Sequence, residues 1–367
     1  MKVSLLKYLL LSLSVSIFLT LNCSKSEENK VKIIRNPEKG LWEDDPSKQF
    51  NLIEDLVIGK EKGDENYVFA GIFDVTTDSK CNIYILDAGN YRVQKFDSTG
   101  RYLQTIGRQG KGPGEFMFPT AIAIDKSDNL YVADEGNARV SKFDSTGNFI
   151  SSFRLENVGG IIRSLKIDSR GNLYLTYFDI ENRKIIHKYS PKGERLLSFC
   201  GSYAEGKAID LRVESVYAGG EIDIDTNDII YFTQFVPYEI RKFSTNGRLL
   251  SRIFRENSFM PPPPEPEVKG EAITFRLPRA VSHSIVVLGD KFINSVSRKA
   301  SGENIIDIFD SKGDLLLSDR SSRSVVCKDN KGRVYIVGSE YPKIIRCYLH
   351  LTSYKNESNG QFKTYGR

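Results

Sequence analysis

Histidine is scarce in this chain: three in 367 residues. A zinc centre that needs several imidazoles around one ion therefore has too few ligands to draw on. Cysteine is also sparse, and none of Cys81, Cys200, Cys327 and Cys347 stands in the C-x-x-C spacing of a structural zinc site. Buried, unbridged thiols are expected for these four, with a Cys81–Cys200 pairing left open. Charge of one sign never accumulates, because the net +5 is spread along the chain without runs. That describes a solvated surface and leaves no nucleic-acid footprint. Only one long apolar run exists, Leu9 to Leu21, preceded by Lys2 and Lys7. It is too short and wrongly flanked for a stable membrane span and has the layout of a secretory signal.

What the chain has in abundance is repetition. Residues 107–155 read as four short strands punctuated by turns. Ala121 to Ile124 is an apolar run stopped by Asp125-Lys-Ser-Asp-Asn129, and Leu130 to Ala133 follows it. Arg139 to Phe143 alternates polar and apolar residues, Asp144-Ser-Thr-Gly147 makes a tight turn, and Phe149 to Phe153 is the fourth strand. The same markers recur. An Asp is followed six residues later by Tyr at 78/84, 125/131, 168/174, 225/231 and 329/335. An aromatic residue and hairpin recur at Phe96 to Gly100, Phe143 to Gly147, Tyr189 to Gly193, Phe243 to Gly247 and Phe309 to Gly313. Together they mark units at 70–107, 118–155, 160–200, 218–254, 282–318 and 322–351, the fifth keeping only its hairpin and the sixth only its Asp/Tyr pair.

A period of roughly 40 to 50 residues signals a propeller or another array. The expected fold is all-β, a six-bladed β-propeller of four-stranded antiparallel blades, residues 49–351. Residues 50–58 read as an unpaired fourth strand, and pairing it with the last unit closes the ring, since it would otherwise be an exposed edge. Residues 352–367 offer a competing fourth strand. Residues 33–48, with Trp42, read as an irregular lead-in, and the three long linkers, 107–118, 199–218 and 254–282, as surface excursions.

Pro119 to Asp125, Asn129 to Asp134, Asn137 to Phe143 and the Gly110 to Phe116 linker resemble NHL repeats, and more closely the six-bladed propeller lipoproteins of bacteria. Leu19-Thr-Leu-Asn-Cys23 resembles a lipoprotein signal. The resemblance implies that residues 1–22 are removed, that Cys23 is lipidated, and that residues 23–48 form a tether and lead-in. The expected location is the bacterial cell envelope, anchored through lipid.

Function is far less legible, because relatives with this fold include binding scaffolds, lactonases and lyases. A lactonase-type cation cage would sit at the start of the inner strands, where the chain places Phe73, Thr120, Arg163, Glu221, His283 and Arg323. Two arginines beside one glutamate make a poor cation site. His187 falls in a third strand, about 10 Å out from an inner one, and His350 closes the last unit, so no metal and no cofactor is expected. The glycines from Gly107 to Gly114 lack the strand-then-helix context of a phosphate loop. The expectation is therefore a monomeric binding or assembly module that takes a protein partner or a small acidic ligand, with no catalytic residue assigned. The alternatives are a channel enzyme, or a sensor of a small anionic ligand. The expected binding face carries the strand-four-to-one linkers and the strand-two-to-three loops. It gathers Arg92, Arg108, Arg139, Arg163, Glu221, His283 and Arg323, with Lys111, Arg183 and Arg279 nearby and Tyr91, Tyr203, Phe235 and Tyr238 as aromatic anchors.

Overall fold

A computed structural model of the protein describes residues 30–203, 211–256, 267–269, 272–274, 280–298, 303–321, 324–338 and 340–353. The repeats fold into six antiparallel blades arranged as a six-bladed β-propeller. Blade one runs from its inner strand Ile72–Thr77 out to Tyr102–Ile106, and blade two from Pro119–Ile124 to Phe149–Arg154. Blade three spans Val158–Ile167 to Arg195–Gly201, blade four Gly220–Ile224 to Leu249–Arg255, and blade five Ala280–Leu288 to Leu315–Ser321. Blade six supplies three strands, Val325–Lys328, Val334–Val337 and Ile344–Ser353, and takes its fourth from the other end of the chain. That strand, β2 of our numbering (Lys48–Ile58), runs antiparallel to Ile344–Ser353, with Phe50 opposite Leu351 and Ile58 opposite Ile344. The N-terminal closure expected from the repeat pattern is thus the one the protein adopts.

Alternation along each strand places one set of side chains between blades, and six buried clusters result, each shared by neighbouring blades. Tyr231, Ile240 and Ile253 of blade four meet Ile285, Phe292 and Phe309 of blade five, for example. At roughly 1.5–3 kcal/mol per fully buried large side chain, each interface is a small core in its own right.

The recurrent Asp, Tyr and hairpin residues have a shared structural purpose. In blade three the Asp168 carboxylate accepts the amides of Arg170 and Asn172 through one oxygen and the Tyr174 hydroxyl, 3.2 Å away, through the other. Asp78, Asp125 and Asp329 do the same with Tyr84, Tyr131 and Tyr335. A lysine of the third strand covers the ring and reaches the next blade. Lys95 lies over Tyr84 and donates to the Ser145 carbonyl at 2.9 Å, Lys188 lies over Tyr174 and donates to Thr245, and Lys242 lies over Tyr231 and donates to Ser311. Arg346 of blade six reaches Ser98 of blade one in the same way, at 2.7 Å. Blade five lacks the device: Ile293 and Ile308 pair where other blades have Tyr and Lys, and both sink into the apolar interface with blade six. The hairpin glycine is required twice over at Gly193, where φ is +88° and a Cβ would lie 2.3 Å from Phe153 of the preceding blade.

Two expectations need correction. The lead-in is not irregular throughout, because β1 (Lys32–Asn36) adds a fifth, parallel strand to blade four, Ile34 opposite Ile253. A short parallel strand can join an open edge with no turn to announce it, and Asn36 seals the join by donating to the Gly313 carbonyl and accepting from the Leu315 amide. The linker from blade three to blade four contains a helix, Leu211–Tyr217. The four described cysteines are unbridged, as expected, and the Cys81–Cys200 pairing left open is not made. Cys23, Arg279, Arg323 and residues 354–367 lie outside the described residues.

The Asp–Tyr device predicts a graded loss on mutation. Asp168→Ala strands two amides and a buried hydroxyl, and is expected to cost on the order of 3 kcal/mol in urea denaturation. Asp144→Ala removes a hairpin cap whose partners face water, and a distinctly smaller loss is expected. Equal losses would show that burial of the device contributes nothing.

Candidate functional site: the channel and its linker-face mouth

The inner strands are bent where the mouth lies. Register shifts fall between Ile72 and Asp74, Pro119 and Ala121, Gly159 and Ser164, Ser282 and Ser284, and Val325 and Cys327. Such bulges re-aim side chains, and the residues they contain include Phe73, Thr120, Arg163 and His283. Four of the six mouth positions read from the repeats therefore sit on bulges.

Around the bulges, carboxylates tie neighbouring blades together. Asp74 accepts the Ile122 amide of blade two at 2.9 Å, Glu135 that of Ile162 in blade three at 3.2 Å, and Asp223 that of Val287 in blade five at 2.7 Å. Asp223 also pairs with Lys328 of blade six at 2.6 Å. Lys166 stands among Asp74, Asp223 and Glu221; burial opposes its charge, but those carboxylates outweigh burial and raise its pKa. Burial, and then the Asp74 carboxylate, push Glu221 up to about 8, against the pull of Lys166 and Arg163. Burial likewise pushes the Cys327 thiol up to about 12, which makes it a poor nucleophile. His283 is held neutral by burial, its pKa lowered to about 4, and its Nε2 lies 2.9 Å from the Ser324 hydroxyl. No three His, Cys, Asp or Glu side chains among the described residues converge as a metal site would require.

The arginines divide sharply. Arg92 spends its donors on Asp87 and on the carbonyls of Glu65 and Val68. Arg139 does the same with Lys111, Gly112 and Glu115, Arg108 pairs with Glu115, and Arg183 pairs with Glu214. Arg92, Arg139 and Arg183 thereby strap linkers to the blades, and the Arg108 pair lies within one linker. Arg163 is different: its guanidinium lies over the Phe235 ring, 4.4 Å from the centroid, and makes no hydrogen bond or ion pair with a described residue. Burial lowers its pKa, and the nearby Glu221 and Glu135 oppose that.

Of the aromatic anchors, Phe235 is the platform for Arg163. Tyr238 is buried instead, donating to Asp307 at 2.7 Å across the interface of blades four and five. Tyr91 packs against the core between blades one and two, and Tyr203 stands edge-on to Tyr217. The exposed aromatic surface at the rim belongs to Phe73 and Phe118, 51% and 38% exposed and in edge contact at 5.7 Å, with Ile161 also exposed on the bulge of blade three. Two clefts open on the opposite face, among the hairpin turns. One of about 600 Å³ lies between blades three and four, and one of about 290 Å³ lies between the turns of blades two to four.

The family described as 6-bladed beta-propeller matches residues 64–200. That is the first three blades. Over the whole ring the chain is similar to a candidate exported protein from Bacteroides fragilis, at 10% identity and a TM-score of 0.59, covering 88% of this chain and 100% of that one. A member of the duf4221 family from Bacteroides vulgatus superposes with a TM-score of 0.57 at 9% identity, covering 84% and 100%. A virginiamycin B lyase from Staphylococcus aureus, solved with quinupristin, gives 0.52 at 12% identity, covering 82% and 99%. Identities this low speak for fold alone. No curated protein matches the chain.

Glu221 yields a test of the channel. The folded protein holds its proton where the unfolded chain, with an ordinary value of 4.5, has released it, so stability declines as pH rises from there to about 8. Glu221→Gln should relieve that decline, with its Tm advantage over the parent growing toward about pH 8 and vanishing near about pH 4. Tm curves that stay parallel across this range would contradict the placement of Glu221.

Proposed function

We propose that the protein is an exported, lipid-anchored binding propeller that captures an anionic group, on a protein partner or a small acidic ligand, at the linker-face mouth of its channel. Arg163 carries this reading. Its donors make no hydrogen bond or ion pair with a described residue, whereas Arg92 and Arg139 are engaged by internal acceptors, and the Phe235 ring holds its planar fork in place. A guanidinium so presented suits two-point capture of a carboxylate or phosphate. The exposed Phe73–Phe118 pair on the same rim favours an occupant with an apolar portion as well as its acid. Export is supported by the apolar run after Lys2 and Lys7 and by the placement of Cys23 directly behind it. Likeness in fold to a candidate exported protein agrees with this.

A second reading, chemistry on the captured group, is favoured by Glu221 alone. A carboxylic acid that stays protonated to about pH 8 close to Arg163 could donate its proton to a bound anion. Lyases that share the fold make this worth assaying once a ligand is known.

A photo-crosslinking residue placed at Phe73 in cells is expected to give a discrete product. Arg163→Ala should weaken binding of the captured species about ten- to a hundredfold, as expected for a charge-assisted pair of about 1.5–3 kcal/mol. Paired changes at Lys126→Ala and Arg170→Ala should leave binding intact. Loss with that pair alone would place the site on the hairpin face and overturn the proposal.

A further inference from the structure

β1 enters the fold in a defined direction. It lies parallel to Leu249–Arg255, with Lys32 opposite Ser251 and Asn36 opposite Arg255. Leu249 directly follows the Ser244–Arg248 turn of blade four, so Lys32 stands at the turn end of that strand. The chain before it therefore leaves from the hairpin face. Residues 24–29 alone separate Cys23 from Lys30, a reach of roughly 25 Å at full extension.

That face is cationic at its tips. Lys80, Lys126, Arg170 and Lys331 stand exposed on the inner turns of blades one, two, three and six, and none makes a side-chain hydrogen bond or ion pair with a described residue. The acids of the same turns point inward: Asp78, Asp168 and Asp329 are buried, one oxygen taken by backbone amides and the other by a tyrosine hydroxyl. Asp128 and Asp228 are engaged by Ser79 and Ser169 of neighbouring turns. On the inner turns of blades one, two, three and six the outward potential is thus set by cations whose counter-charges are withdrawn, whereas the inner turn of blade five carries the exposed Asp290, paired with Lys291. Near the entry of β1, the cleft of about 600 Å³ is lined by Arg170, Lys188, Arg248 and the exposed Leu196. Cations beside an apolar wall match a phosphate headgroup above its glycerol backbone.

We propose that the hairpin face is the membrane-facing surface, drawn against anionic lipid headgroups, and that the mouth bearing Arg163 is turned away from the bilayer. This rests on the anchoring read from Cys23 and adds an orientation and a lipid preference to it. A short tether holds the cations within reach of the headgroups, and their attraction selects one face over the others. The linker face is then left open to partners.

The test uses the full chain, anchored in vesicles that contain a nitroxide-headgroup lipid, with a fluorophore on Lys126→Cys or, on the linker face, on Lys111→Cys. In vesicles rich in phosphatidylglycerol, quenching at position 126 should exceed that at 111 several-fold, and high salt should shrink the difference. Equal quenching, or more at 111, overturns the orientation. Combining Lys80→Gln, Arg170→Gln and Lys331→Gln should abolish the excess in anionic vesicles; an unchanged excess overturns the headgroup attraction. Flotation of wild type against Cys23→Ala reads the anchor separately. A wild-type chain that fails to float removes the anchor and the proposal together, whereas a chain that floats but is quenched at 111 removes the orientation alone.

Discussion

A ring of blades has no end of its own, and everything else in this protein depends on how the ring is closed. Five of its six interfaces join units adjacent in sequence. The sixth must join the last to the first, and β2 makes it by completing blade six from the N-terminal side. Ile58, at the end of β2, is buried with Phe69, Ile83 and Phe96 of blade one. Arg346 holds the joint from three directions, bonding Asp55 of β2 at 2.7 Å and the Ser98 carbonyl of blade one while standing in blade six. Upstream of β2 the same segment is already attached, β1 to blade four, and the Leu41 and Trp42 amides to the Leu315 and Leu316 carbonyls of blade five. The N-terminal segment therefore acts as a belt over three blades.

Closure is what gives the mouth its geometry. Phe73 comes from blade one, Phe118 from the entry to blade two, Arg163 from blade three, and Phe235 and Glu221 from blade four. No two of these are held together by local structure except Glu221 and Phe235, at the two ends of one hairpin. Their spacing is set by the packed interfaces between blades and by the carboxylate ties from Asp74, Glu135 and Asp223. Linkers strapped by Arg92 and Arg139 then frame a rim that is fixed rather than fluid, which lowers the ordering cost of capturing a ligand there.

The blades were legible because each repeat uses the same turn chemistry, and an Asp that caps a turn while accepting a buried Tyr hydroxyl leaves a fixed six-residue spacing. Blade five hid half its signature because Ile293 and Ile308 replace the polar pair with an apolar one that satisfies the same interface. β1 left no trace, since five residues joining an edge in parallel need neither a turn nor a strict alternation. At the site, the sequence pointed to Arg163 and Glu221 as mouth residues but could not rank them against Arg92 or Arg139. The acceptors that consume those arginines are mostly backbone carbonyls, which every residue carries and no motif reports. Phe73 stood among the expected mouth positions, but its exposed pairing with Phe118 was not legible, because a bulge that turns one apolar residue outward is invisible in an apolar run. Tyr238 failed in the opposite sense, since its burial depends on Asp307, 69 residues away.

Native-state hydrogen exchange on the full chain tests the central claim, that one non-local strand holds the ring and with it the mouth. The amides of β2 that bond to Ile344–Ser353 should exchange only with global unfolding, at the same free energy as those of Ile83–Asp87 in the middle of blade one. If β2 instead opens locally and exchanges far faster while blade one stays protected, the ring does not depend on its closure and the account is wrong.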